Sequence, residues 1–246
     1  MAGHSHFKNM MHRKGRADKI RSKLFTKLSR EITVSAKLGT PDPEMNPRLR
    51  AAIQAARANM PKDNIERAIK KSQGNIDNSY EFSRYEGFGP GRTGVIIEVL
   101  TDNKNRSVSN IRTIFQKFGG TLGETGSVSY QFEQIGQIKI KKELMSTNDA
   151  LEIAINSGAE DCVTTDLHHE INCKKEEFNS VREQIEKKIK DLSFAGLIWN
   201  PLSKVNLDKE AFTKVVNFLE QIEDDDDVQN VFTNFEVDEK LLEGAN

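Results

Sequence analysis

The chain has 246 residues, 36% hydrophobic and 30% charged, enough for one to three globular domains at about 150 residues each. No aliphatic run approaches the roughly 20 residues that cross a bilayer, the opening lacks an apolar signal core, and two cysteines make no disulfide framework, so a reducing, cytoplasmic setting without a membrane partner is expected. A net charge of minus 1 conceals a division: residues 1–71 hold 17 Lys/Arg against 6 Asp/Glu, a net of plus 11, and the remainder carries minus 12, which points to a polyanion as partner of the N-terminal part.

In chain order, residues 1–18 carry Lys8, Arg13, Lys14 and Arg16 with three histidines and no apolar periodicity, the pattern of a flexible basic arm. His12 and its neighbours lack a cysteine or carboxylate cluster that would complete a metal shell, so phosphate hydrogen bonding suits them better. From Lys19, Ile20, Leu24, Leu28 and Ile32 mark one helical face while Lys19, Lys23, Lys27 and Arg30 stack on another, until Gly39 stops the helix. Arg21 adds to the same excess: residues 1–30 hold nine Lys/Arg against Asp18 alone. Asn46-Pro47 reads as N-cap and first turn of a second helix, and a third runs from about Pro61 to Lys71, making a three-helix domain over 19–75.

Residues 75–93 read as loop, with Gly87-Phe88-Gly89-Pro90-Gly91 as a hinge or tight turn before an aliphatic strand at 94–101. Ser107 is the expected cap of a helix with Val108, Ile111, Phe115 and Phe118 on its stripe, followed by alternation through Val128, Tyr130 and Phe132 as a strand. Strand 137–142, helix 148–157, strands near 161–165 and 169–173, helix 175–192 and strand 196–200 then give the order βαββαβ. A short strand at 202–207, helix 209–222 and strand 228–237 complete a second such set. The expected fold class is therefore α+β: an N-terminal three-helix domain followed by two ferredoxin-like βαββαβ modules, one (135–200) inserted into the other (76–134 plus 201–240).

The motifs exclude more chemistry than they suggest. Gly89 to Gly94 spells GxGxxG but precedes a strand instead of opening a helix, and Val95-Ile96 stand where a Walker loop needs Lys and Ser/Thr. Asp102-Asn103-Lys104-Asn105-Arg106 offers an anion-binding loop at a helix start, against the plainer reading of turn chemistry. Glu223 to Asp227 lacks calcium-loop spacing and reads as a solvated turn. A hairpin symmetric about Leu167 and His168 would set Cys162 nearly opposite Cys173, both reduced. No nucleophile, base and orienting acid assemble, so no enzyme, no small-molecule substrate, no cofactor and no metal are expected; a nuclease built on Asp102 and a pure protein scaffold are the competing classes.

Met1-Ala2-Gly3-His4-Ser5, His12-Arg13-Lys14, Phe25-Thr26-Lys27, Arg30 to Val34, Asn46 to Arg50, Asn59 to Ile65, Tyr85 to Gly91, Leu100 to Asn103, Asn105-Arg106 and Gly119-Gly120 carry a resemblance. On these motifs the chain resembles the YebC/PmpR family, which includes the mitochondrial translational activator of cytochrome oxidase subunit I. The resemblance runs through nearly the whole chain, strongest before residue 135. Phe7 stands where many members have Trp, which keeps an aromatic face, and Arg92-Thr93 is a further departure. The resemblance implies a helical domain and two α/β domains, and a probable DNA-binding transcriptional regulator; some members are instead similar to ribosome-associated factors that relieve stalling through rRNA. Carried over residue by residue, the basic motif positions are Lys8, Arg13, Lys14, Lys27, Arg30, Arg48, Arg50 and Lys62. DNA or rRNA, with the ribosome in the second reading, is the implied partner.

Overall fold

The computed structural model describes residues 17–57, 59–73 and 80–236. Three helices come first: α1 (Ala17–Leu38), α2 (Pro47–Arg57) and α3 (Lys62–Ser72). Their apolar stripes meet in one cluster of Ile32, Ala36, Leu49, Ala52, Ala56, Met60, Ile65 and Ala68. Asn46 serves as the predicted cap: its Oδ1 accepts from Leu49 N at 3.0 Å, while its Nδ2 donates to Ser35 O and Thr40 O, both at 2.8 Å. One buried amide thus closes the turn between α1 and α2 and satisfies helix-end groups from both sides.

The rest is strand-rich, with helices between. Strands β1 (Glu81–Phe88) and β2 (Gly94–Thr101), helix α4 (Lys104–Lys117) and short β3 (Thr121–Leu122) come before β4 (Phe132–Lys141). Then follow α5 (Thr147–Ser157), β5 (Asp161–Thr164), β6 (His168–Lys174), α6 (Phe178–Lys188) and β7 (Phe194–Pro201). The chain closes with β8 (Val205–Asn206), α7 (Lys209–Glu223), β9 (Val228–Thr233) and β10 (Phe235–Glu236). One four-stranded sheet has the order β5-β6-β4-β7, all antiparallel, with α5 and α6 on the face of Ile138, Ile140, Ile171 and Cys173. That is a ferredoxin-like βαββαβ unit.

The other sheet has the order β3-β1-β2-β9 and encloses the first unit in sequence. Helices α4 and α7 cover Val95, Ile97, Val99 and Val231, with Phe115 and Phe218 edge to face at 4.9 Å. Its topology corrects the expected one. The place of the third ferredoxin-like strand, between the other strands, is filled by β1 and not by residues 202–207, so this sheet is a permuted version of the inner one. Residues 81–88, read as loop, form the strand because their polar groups find remote partners: Glu86 Oε2 accepts from Val128 N and Ser129 N at 3.1 and 2.9 Å. Those same bonds make residues 129–131 a 3-10 turn instead of the expected strand. Of 202–207 only β8 is extended, paired in parallel with β10. Ser107 is not the helix cap; Asn103 is, accepting from Arg106 N at 3.0 Å. The glycine stretch makes a tight turn, Gly89 N to Thr93 O 2.8 Å, with Gly91 at φ 67. Cys162 faces Ile171 and Cys173 faces Gly136, so the thiols are not opposite: the turn bond from Thr165 N to His168 O shifts the hairpin by two residues.

The two sheets meet at a seam of Ile96, Val128 and Phe132 with Phe88, Trp199 and Phe232. Trp199 Nε1 donates to Glu98 Oε1 at 3.2 Å, Asn230 Nδ2 donates to Glu98 Oε2 at 3.0 Å, and the Arg84 guanidinium lies 4.8 Å from the indole centroid. Burial pushes the Glu98 carboxyl up, against the lowering pull of these donors and of Arg84.

Candidate nucleic-acid interface

The basic face of α1 does not stand open along its length. Lys23 Nζ lies 2.6 Å from an Asp224 carboxylate oxygen and donates to the Asp224 carbonyl at 2.8 Å. Lys27 Nζ donates to Glu223 O at 2.9 Å. Arg30 Nη1 reaches Leu100 O, Asp226 O and Asp227 Oδ1 at 3.0, 2.7 and 2.9 Å. Lys23 and Lys27 therefore cap the C-terminal end of α7, where the negative end of the helix dipole lies, and Arg30 holds the turn that follows it. The acidic run is a docking turn at that point, a correction to its reading as purely solvated: Asp227 is 3% exposed.

Asp227 is the centre of this joint. Besides Arg30, its Oδ2 accepts from Arg106 Nη2 at 2.7 Å, Ser107 Oγ at 2.7 Å and Thr101 Oγ1 at 2.9 Å. Burial alone would raise its pKa, but the bonds from Arg106, Ser107 and Thr101 and the Arg106 charge outweigh it and hold the carboxyl below its ordinary value. Arg106 also pairs with Asp102 at 2.8 Å, so the loop read as an anion site has its own carboxylates in place.

The remaining candidates divide by position. Lys8, His12, Arg13, Lys14 and Arg16 lie outside the described residues, and Lys19 and Arg21 fall on the first turns of α1. Arg48 Nε binds Glu31 Oε1 at 2.9 Å, and Arg50 Nη1 reaches Glu44 O at 3.5 Å. Lys62 is 88% exposed and lies 3.9 Å from Glu66. Sequence reasoning passed over Arg57, at the end of α2, and Arg67, Lys70 and Lys71 on α3, all exposed. The signal was present: on α3 these residues avoid the buried Ile65 and Ala68, which turns them with Lys62 to the solvent side. Among the described residues no recognition helix with paired base-reading side chains accompanies them, and the chemistry these ammonium and guanidinium groups offer is phosphate contact.

Among the described residues no His, Cys, Asp or Glu cluster could hold a metal ion, and no helix is long and apolar enough to cross a membrane.

Two sequence profiles match the chain. The sequence profile described as the TACO1/YebC protein N-terminal domain matches residues 5–75, and that of the TACO1/YebC second and third domain matches residues 80–235. The crystal structure of a conserved hypothetical protein, Aq1575, from Aquifex aeolicus is similar at 44% identity and a TM-score of 0.84, covering 92% of this chain and 95% of that one.

Proposed function

The chain belongs to the TACO1/YebC family, whose members are named probable transcriptional regulatory proteins, and from that premise we propose that it is a non-enzymatic, nucleic-acid-binding regulator of gene expression acting in the cytoplasm. The observation that carries the reading is the segregation of charge: plus 11 in residues 1–71, with Lys62, Arg67, Lys70 and Lys71 held toward solvent on one helix. These groups and the basic residues of the N-terminal segment contact the phosphate backbone, and the two α/β units position them or meet a protein partner. The non-enzymatic part is supported by Asp102, the carboxylate a nuclease would need, which is occupied by Arg106.

Salt titration of duplex binding tests the reading. If six phosphates are neutralised, log affinity falls against log salt with a slope of about minus 5. A slope near zero refutes electrostatic binding. Sucrose-gradient sedimentation, with a variant carrying Glu at Arg13, Lys14, Lys19 and Lys23, separates the physiological targets: comigration with ribosomal particles that the variant loses marks a translation factor on rRNA, and protein that stays at the top yet shifts duplex DNA marks a transcriptional regulator.

A further inference from the structure

We propose that the turn from Glu223 to Asp227 is an internal phosphate mimic that masks part of α1, and that a nucleic-acid backbone displaces it from Lys23 and Lys27 while Arg30 stays on Asp227 as the pivot. The proposal rests on the nucleic-acid reading above and adds a regulation to it.

What the turn offers these lysines is what a phosphodiester strand offers: anionic and carbonyl oxygens in a row. Lys23 takes a carboxylate oxygen and a carbonyl of Asp224, and Lys27 takes the carbonyl of Glu223. The contacts are graded in depth. Lys23 and Asp224 are 24% and 53% exposed, whereas Arg30 and Asp227 are 14% and 4% exposed. Exposed ion pairs are weak and screened by salt, while breaking a buried pair strands a charge, so a polyanion can strip the outer contacts and leave the inner one. Lys19 and Arg21 precede the latch on the same helix, so phosphates that engage the start of α1 arrive directly beside it. The cost of peeling off the turn discounts every phosphate contact made there and discriminates against ligands with few charges.

The test is a zero-length carbodiimide cross-link on the full chain. The Lys23 amine and Asp224 carboxyl condense to an amide as the carbodiimide takes up the water to become a urea. Peptide mass spectrometry then compares this product with the Lys174–Glu160 product, a pair 3.6 Å apart in the inner α/β unit and well before the turn in sequence. Saturating labelled duplex DNA, or in a second arm an RNA hairpin, is expected to lower the Lys23–Asp224 yield by about fivefold or more relative to that reference. The arm that does so identifies the source of the phosphates. Binding with an unchanged cross-link overturns the mask and leaves the nucleic-acid reading standing; no binding in either arm overturns both; no cross-link in the free protein overturns the mask. As a second measure, Asp224→Lys is expected to bind about threefold to tenfold tighter than the charge-matched Glu176→Lys, since only the former opens the latch. Equal affinities refute the mask.

Discussion

Replacing Asp227 by Asn tests the joint most directly. The carboxylate is buried and receives side-chain bonds from Arg30, Arg106, Ser107 and Thr101. Thr101 and Ser107 are each 1% exposed, so they cannot turn to water if their acceptor weakens. With the Asn oxygen facing those hydroxyls, the amide NH2 would meet the Arg30 guanidinium donor to donor, and the charge that both arginines neutralise is gone. Arg106 is 47% exposed and recovers solvation, so its share falls in the range of a surface pair, about 0–1 kcal/mol. Arg30 and the two hydroxyls bring the loss to about 3–5 kcal/mol, the range for breaking a buried pair. For a chain of this size that is a melting shift of about 6–20 °C. Denaturant unfolding of both proteins at several pH values measures it. The native Asp227 pKa lies below its unfolded value, so its contribution is complete above an unfolded pKa of about 3.9 and is lost as pH falls through the native one. The deficit of the variant must therefore shrink in acid. A deficit under about 1 kcal/mol near neutrality, or one undiminished at about pH 3, refutes the reasoning.

Trp199 is the single tryptophan, so its emission reports the seam; a spectral transition is expected above the ordinary glutamate value of 4.5 as Glu98 protonates, and none in Glu98→Gln. A transition centred below that value counts against the assignment. Because the native Glu98 pKa is raised, its contribution to stability grows as pH falls through that pKa and is lost as pH rises through it. Gly136→Ala would place a Cβ 2.6 Å from Phe178 Cδ2 and 2.7 Å from Cys173 Sγ, and is expected to cost about 1–3 kcal/mol with faster amide exchange in β4 and β6. Gly87→Ala meets the Thr121 carbonyl at 2.5 Å and should release β3 from β1, seen as loss of exchange protection at Gly123, whose N–H donates to Glu86 O at 2.8 Å.

The parts legible in the sequence are those whose partners are local or periodic. Phe178, Val181 and Ile185 mark α6, Asn46-Pro47 marks the start of α2, and Gly158, at φ 81, ends α5 where expected. What escaped was fixed by distant partners. The strand character of 81–88 depends on Glu86 binding amides some forty residues on and on Arg84 stacking over a tryptophan of the inner sheet. The charge stripe of α1 was equally visible, but periodicity says that Lys23, Lys27 and Arg30 share a face, not what lies against it. Each of them takes a carbonyl of a turn about two hundred residues away, and backbone oxygens leave no mark in composition.

The inner sheet leaves and re-enters the outer one through β4 and β7, which run side by side with Phe132 opposite Pro201. Chain entropy gives that pairing a kinetic meaning. Before β4 and β7 zip together, joining β2 to β9 requires closing a loop of more than a hundred residues; afterwards the insert is a bridge of fixed width and the effective loop is about halved. The insert should therefore fold first and speed the assembly of its host, so that slowing β4–β7 pairing retards collapse of the outer sheet even where no outer residue is touched.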